Sequence, residues 1–265
     1  MNARQRMVLF ALCLLMAFAL SSCSQDQSSA YNKALTIFAT GDYLASSEAF
    51  DKIGDYSNAA TYAAYSHGMV LYEQERYDEA EPYFASARDF MYGDERYKFC
   101  HAYVLEAEGK FDEAAAIYLE LGEYESAAAR YAYANARVAE TNADYLTALY
   151  GYQIAGEYSD ASERLYLLQM QIYRHAGEVK EEGLYDQAMA FYGYLGDFLD
   201  CEAQAKECKD FYRDQLYKQA EVILAGGDLQ AAYDAFNGLI GYSDSAQRAD
   251  DLAILLGIET VDESN

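Results

Sequence analysis

The sequence predicts an all-α solenoid of six helix-turn-helix repeats, and two observations carry that prediction. One 19-residue phrase recurs with variation: GDYLASSEAFDKIGDYSNA from Gly41, GKFDEAAAIYLELGEYESA from Gly109, ADYLTALYGYQIAGEYSDA from Ala143 and GLYDQAMAFYGYLGDFLDC from Gly183. With the aromatic or apolar residue after each turn as an anchor, Tyr43, Tyr77, Phe111 and Tyr145 follow at intervals of 34, and Tyr185 and Leu229 at 40 and 44. A fixed period of that size marks stacked helix pairs. The second observation is that residue type repeats with the phrase. Nine residues before the anchors stand Ala34, Gly68, Ala102, Ala136, Ala176 and Ala220, and three after them Ser46, Ala80, Ala114, Ala148, Ala188 and Ala232. Seven after them come Phe50, Phe84, Tyr118, Tyr152, Tyr192 and Phe236. Small residues let two helices approach closely, and the large ones fill the space beside the crossing.

The elements follow in chain order. Arg4 and Arg6 precede an apolar run of about 14 residues that ends in Leu20-Ser21-Ser22-Cys23. That run is short of the roughly 20 residues a membrane-spanning helix needs, and the pattern reads as a secretory signal over residues 1–22. Leu20 to Cys23 resembles the bacterial lipobox, which implies cleavage before Cys23 and acylation of it. Residues 23–30 then form a lipidated cysteine and short tether, 31–258 the solenoid, and 259–265 an acidic tail. Within each repeat a turn glycine (Gly41, Gly109, Gly183, Gly227) suits the left-handed conformation that ends a first helix. Asp78 and Asp112 open second helices, where the helix dipole favours acids. Asn58, Asp160 and Asp244 stand at predicted N-caps of the following first helices. The longer intervals of 40 and 44 predict long first helices near 160–182 and 201–224, and a last helix near 246–256 caps the stack.

The columns match the small, apolar and aromatic signature positions of the tetratricopeptide repeat family, and the resemblance runs from about Tyr31 to Ser245. It implies a right-handed α-solenoid whose first helices line a concave face and take most ligand contacts. The chain departs from that pattern in having no Trp and no proline between repeats. Its one proline, Pro82, falls near the start of a second helix, where it is tolerated.

Composition narrows the function. Removal of residues 1–22 takes two arginines and no acid, leaving 17 basic against 44 acidic residues, a net charge of −27. Such a chain is repelled by nucleic acid and by anionic headgroups, so its attachment to the extracytoplasmic face of the cell membrane is expected through the lipid on Cys23. Hydrophobic residues at 52% exclude a disordered chain. Cys100, Cys201 and Cys208 show neither a CxxC nor a zinc spacing and read as small buried hydrophobes. No nucleophile elbow, zincin, phosphate loop, dinucleotide or EF-hand motif occurs. The expectation is a protein that is not an enzyme and takes no cofactor or metal.

His67, His101 and His175 share one position, ten residues before an anchor. Helices about 8–10 Å apart are poorly placed to share a metal held near 2 Å from each ring, so these read as polar edge positions with a hydrogen bond to the paired helix. The column twelve before the anchor is aromatic in all six repeats: Tyr31, Tyr65, Phe99, Tyr133, Tyr173 and Tyr217. It either packs first helices together or presents a ladder of rings to a ligand. The site hypothesis is that Tyr65, Phe99, Tyr133 and Tyr173 keep an edge open to the concave groove. Glu73 and Glu181 lie eight residues further along the helices of Tyr65 and Tyr173, so the expected partner is a protein or peptide with basic residues; a cell-wall glycan is the alternative ligand.

Overall fold

The computed structural model describes residues 26–258, and the signal segment, Cys23 and the acidic tail at 259–265 lie outside them. Among the described residues the chain is thirteen α-helices with no strand. They are α1 (26–39), α2 (Tyr43–Asp51), α3 (Ala59–Tyr72), α4 (Tyr77–Ser86), α5 (Gly93–Ala107), α6 (Phe111–Leu121) and α7 (Ala127–Thr141). There follow α8 (Tyr145–Ala155), α9 (Ala161–Glu181), α10 (Tyr185–Leu195), α11 (Cys201–Ala225), α12 (Leu229–Asn237) and α13 (Ser245–Leu256). Every anchor is the first residue of a second helix, and the fold is an all-α helical-repeat solenoid. The longer last intervals appear as α9 and α11, of 21 and 25 residues. Residues 26–30, expected in the tether, instead form the first turns of α1; they contain no Gly or Pro to stop it.

The chain divides into two compact units, residues 1–162 and 163–265. In the first, α2 to α8 pack each on the next. Its interior is a file of rings and small residues, with Phe50 beside Ala34 and Ala63, Phe84 beside Tyr65 and Ala80, and Tyr118 beside Phe99 and Ala114. In the second, α10 to α13 pack consecutively, and Phe236 with Ala220, Ala232 and Leu252 fills the space between α11, α12 and α13.

The two small-residue columns are buried at every repeat. A Cβ on Gly68 would come within 2.9 Å of the Phe84 ring, so the column records real crossings. Ser46, the one hydroxyl in its column, meets buried Ser66 at 3.0 Å, which satisfies both. Second helices start on acids in two ways. Asp42, Asp144 and Asp228 cap through side chains that accept from Ala45, Thr147 and Ala231 amides. Where the cap residue is Arg76, Lys110 or Leu184, acids occupy the first turn instead.

The turn glycines take φ of 78° to 84°, but Glu75 and Ala143 hold the same left-handed position at 59° and 58°. A second left-handed residue, unforeseen from the sequence, recurs at every joint between repeats: Ser57, Met91, Glu125, Ser159, Leu199 and Ser243, with φ from 49° to 53°.

Candidate functional site

The structure corrects the aromatic site hypothesis. Tyr65, Phe99 and Tyr133 are only 2%, 1% and 4% exposed, so these rings are core and offer no open edge. Tyr173 is half-buried, while Glu73 and Glu181 are exposed. The rings pack edge-on against the buried column that follows: Tyr65 on Phe84 at 5.8 Å, Phe99 on Tyr118 at 6.0 Å, and Tyr173 on Tyr192 at 5.7 Å. At three of the positions the hydroxyl adds a bond that Leu or Ile could not make. Tyr133 donates to Asp160 at 2.6 Å, Tyr173 to Asp200 at 2.7 Å, and Tyr217 to Asp244, each across 27 residues. Asp200 and Asp244 head α11 and α13 without capping them; Asn58, likewise, heads α3 without a side-chain cap bond. Those carboxylates receive the neighbouring repeat's tyrosine instead. The Tyr217 hydroxyl and then Arg248 hold Asp244 below the ordinary carboxylate range.

A charged node joins the same helices in the first unit. The Arg130 guanidinium lies 5.2 Å from the Phe99 ring centre, 5.1 Å from Tyr103 and 4.8 Å from Tyr158. Its Nη1 bonds the Tyr158 hydroxyl at 2.5 Å and stands 3.7 Å from Glu106. Glu106 also accepts from Tyr158 at 2.7 Å and Tyr118 at 3.1 Å. Burial, with Glu106 next in weight, pushes both phenols far above their usual range. They remain hydrogen-bond donors at any physiological pH.

This node belongs to a pair of columns 24 residues apart, which the sequence reading missed. The pairs are Phe38 with Tyr62 at 4.9 Å between ring centres, Tyr72 with Arg96 at 5.9 Å, Glu106 with Arg130, and Lys180 with Gln204 at 2.8 Å. The signal was present in Arg96, Arg130 and Arg164, which recur at intervals of 34. The column changes chemistry from repeat to repeat except at two neighbours, where Glu140 stands 24 before Arg164 as Glu106 does before Arg130.

The histidines are polar edge positions, but two of them bond the preceding repeat's second helix and not the paired one, and His175 lies 3.6 Å from Glu178 on its own helix. His67 meets Asp51 at 2.8 Å and His101 meets Glu81 at 2.8 Å, each on the preceding second helix. Among the described residues no group of three or more His, Cys, Asp or Glu is placed to hold a metal. Cys100, Cys201 and Cys208 are free and buried, and burial pushes the Cys100 thiol up to about 12.

An open apolar feature lies elsewhere. A groove of about 420 Å³ runs over α7 between α6 and α8, with Tyr131, Ala132 and Asn135 in its floor. Leu119, Tyr150 and Ile154 form its walls, 61%, 66% and 53% exposed, and Glu123 lies at its edge. An apolar cluster left in water on an acidic protein is the kind of surface that takes a partner.

The fold and this surface define a helical-repeat protein with a side-chain-lined groove. No protein-family model matches the sequence, and no curated protein matches it.

Proposed function

We propose that this chain is a non-enzymatic protein- or peptide-binding scaffold of the tetratricopeptide-repeat type, held by a lipid on Cys23 at the extracytoplasmic face of a membrane. The observation that carries the binding role is the exposed cluster of Leu119, Tyr150 and Ile154 beside the groove over α7. Monomeric surfaces rarely keep such clusters unless something covers them. The charge selects the partner: a chain with 44 acidic and 19 basic residues attracts basic segments and repels acidic ones. The buried polar groups support the reading in another way. Glu106, Arg130, Tyr118 and Tyr158 are spent on one another, which suits a stiff support more than a reactive site.

A photo-crosslinking residue at Tyr150, in the cell of origin, tests the proposal. Capture of one defined protein, competed by a basic peptide from that protein, is expected. Crosslinks at Tyr150 and at control positions that yield no reproducible partner overturn it.

A further inference from the structure

The groove over α7 is open because of what one repeat leaves out. Ten residues before the anchor, where this repeat has Asn135, three others carry His67, His101 and His175. Six residues after it, where this repeat has Gly151, the same three carry Tyr83, Ile117 and Phe191. In two of those repeats the slot is filled by the chain itself, and the third has no ring six after its anchor. His67 lies 5.2 Å from the Tyr83 ring and His175 lies 4.9 Å from Phe191, while His101 stacks on Tyr97 at 5.6 Å.

Two further substitutions make the open slot apolar. Leu119 stands where Asp51 binds His67 two repeats earlier, 68 residues back. Gly151 lets α8 sit close on α7: a Cβ there would lie 2.8 Å from the Ala136 Cβ and 2.9 Å from the Ala132 carbonyl oxygen. No side chain at 151 is accommodated without moving the helices, so no ring can be supplied from that position.

Resting on the scaffold reading, the geometry points to a binding site, in the groove over α7, for one aromatic side chain of a partner segment that also carries Lys or Arg. An aromatic ring is the group the chain itself places in this slot in two other repeats, as Tyr83 and Phe191. Its area would be covered by Leu119, Tyr150 and Ile154, and ring contacts of this kind dominate small interfaces. The basic residues follow from Glu123 at the groove edge and from a net charge of −25 on the whole chain. That same charge opposes a second copy of this chain as occupant.

The test uses the mature chain and three peptides, acetyl-KKFKK-amide and its Leu and Ala counterparts, with binding followed by calorimetry. The Phe peptide is expected to bind at least tenfold more tightly than the Ala peptide. Asn135→His combined with Leu119→Asp rebuilds the arrangement of the His67 repeat and is expected to erase that preference at unchanged melting temperature. Should this variant melt early, Ile154→Glu, on an exposed wall, carries the same expectation. Equal binding of the Phe and Ala peptides means charge attraction alone and overturns the proposal. So does a preference that survives both variants, or a dimer in sedimentation that these variants dissolve. Crosslinking in the cell separates the two readings: a partner captured equally by wild type and the double variant keeps the scaffold and removes the groove.

Discussion

A tyrosine in the column twelve residues before the anchor does two jobs: its ring fills a helix crossing, and its hydroxyl reaches the acid that heads the next first helix. Tyr133, Tyr173 and Tyr217 do both. From sequence this is indistinguishable from a ladder of exposed rings, because ring periodicity is the same whether the edge meets water or a carboxylate. The Tyr217 bond is legible in acid. Asp244 is held below its unfolded value, so its contribution to stability is complete above the unfolded pKa near ~4 and is lost as pH falls through the folded one. Tyr217→Phe should therefore lower the urea midpoint at pH 7, with the gap to wild type narrower at pH 3. A gap unchanged between the two pH values would show that only ring packing was lost. The Glu106–Arg130 pair has a larger stake, since their side chains are 11% and 10% exposed. Glu106→Ala strands a buried guanidinium and two phenol hydroxyls, and should cost about 3–5 kcal/mol. Glu106→Leu with Arg130→Met removes both charges and should recover most of that loss, read as a double-mutant cycle in urea.

Helix positions were legible wherever sterics dictate residue type. Only Gly, Ala or Ser fits nine before or three after an anchor, so the crossings could be placed from sequence alone, and the lengths of α9 and α11 followed from the stretched intervals. The joints were not legible. Ser57, Met91, Glu125, Ser159, Leu199 and Ser243 adopt a conformation that none of those residue types announces; left-handed backbone at non-glycine residues costs about 1–2 kcal/mol each. Surrounding packing imposes it, and packing is absent from a one-dimensional pattern. The groove was hidden for a related reason, since it is defined by a missing histidine and a missing ring in one repeat. The turn at Ala143 gives a clean measure of such strain. It holds φ 58° where four other repeats have glycine, and it is exposed. Ala143→Gly should stabilise the chain by about 0.5–1 kcal/mol, the strain relieved outweighing the extra freedom of the unfolded chain. A urea midpoint that falls would mean the backbone at 143 does not need the left-handed region.

At the scale of the whole molecule, the changing chemistry of the 24-residue pairs bears on register. Identical repeats can slip by one unit and bury the same apolar faces. A slip of one repeat here sets Tyr72 against Arg130 in one direction, which leaves the guanidinium buried without its partner, and Glu140 in the other, which keeps a carboxylate there. Charge acts at the same scale and governs where the molecule sits. A net charge of −25 repels anionic headgroups, and no helix among the described residues is long and apolar enough to cross a membrane. If the protein is held at a membrane, a covalent lipid is the attachment consistent with both facts, and Cys23 at the end of Leu20-Ser21-Ser22-Cys23 is the residue placed to carry it. Several acyl chains on one residue anchor stably, whereas one chain alone binds marginally and reversibly. Cys23→Ala should therefore leave an uncut precursor or release the chain from the membrane fraction, scored by fractionation and intact mass. A wash in 1 M salt supplies the second arm. Ionic attachment is screened at that strength, with a Debye length of about 3 Å, while an acyl anchor is indifferent to it. Wild type should stay with the membrane through the wash. Mature-sized Cys23→Ala protein that still sediments with membranes, or wild type that salt removes, would place the attachment on the protein surface and not on the cysteine.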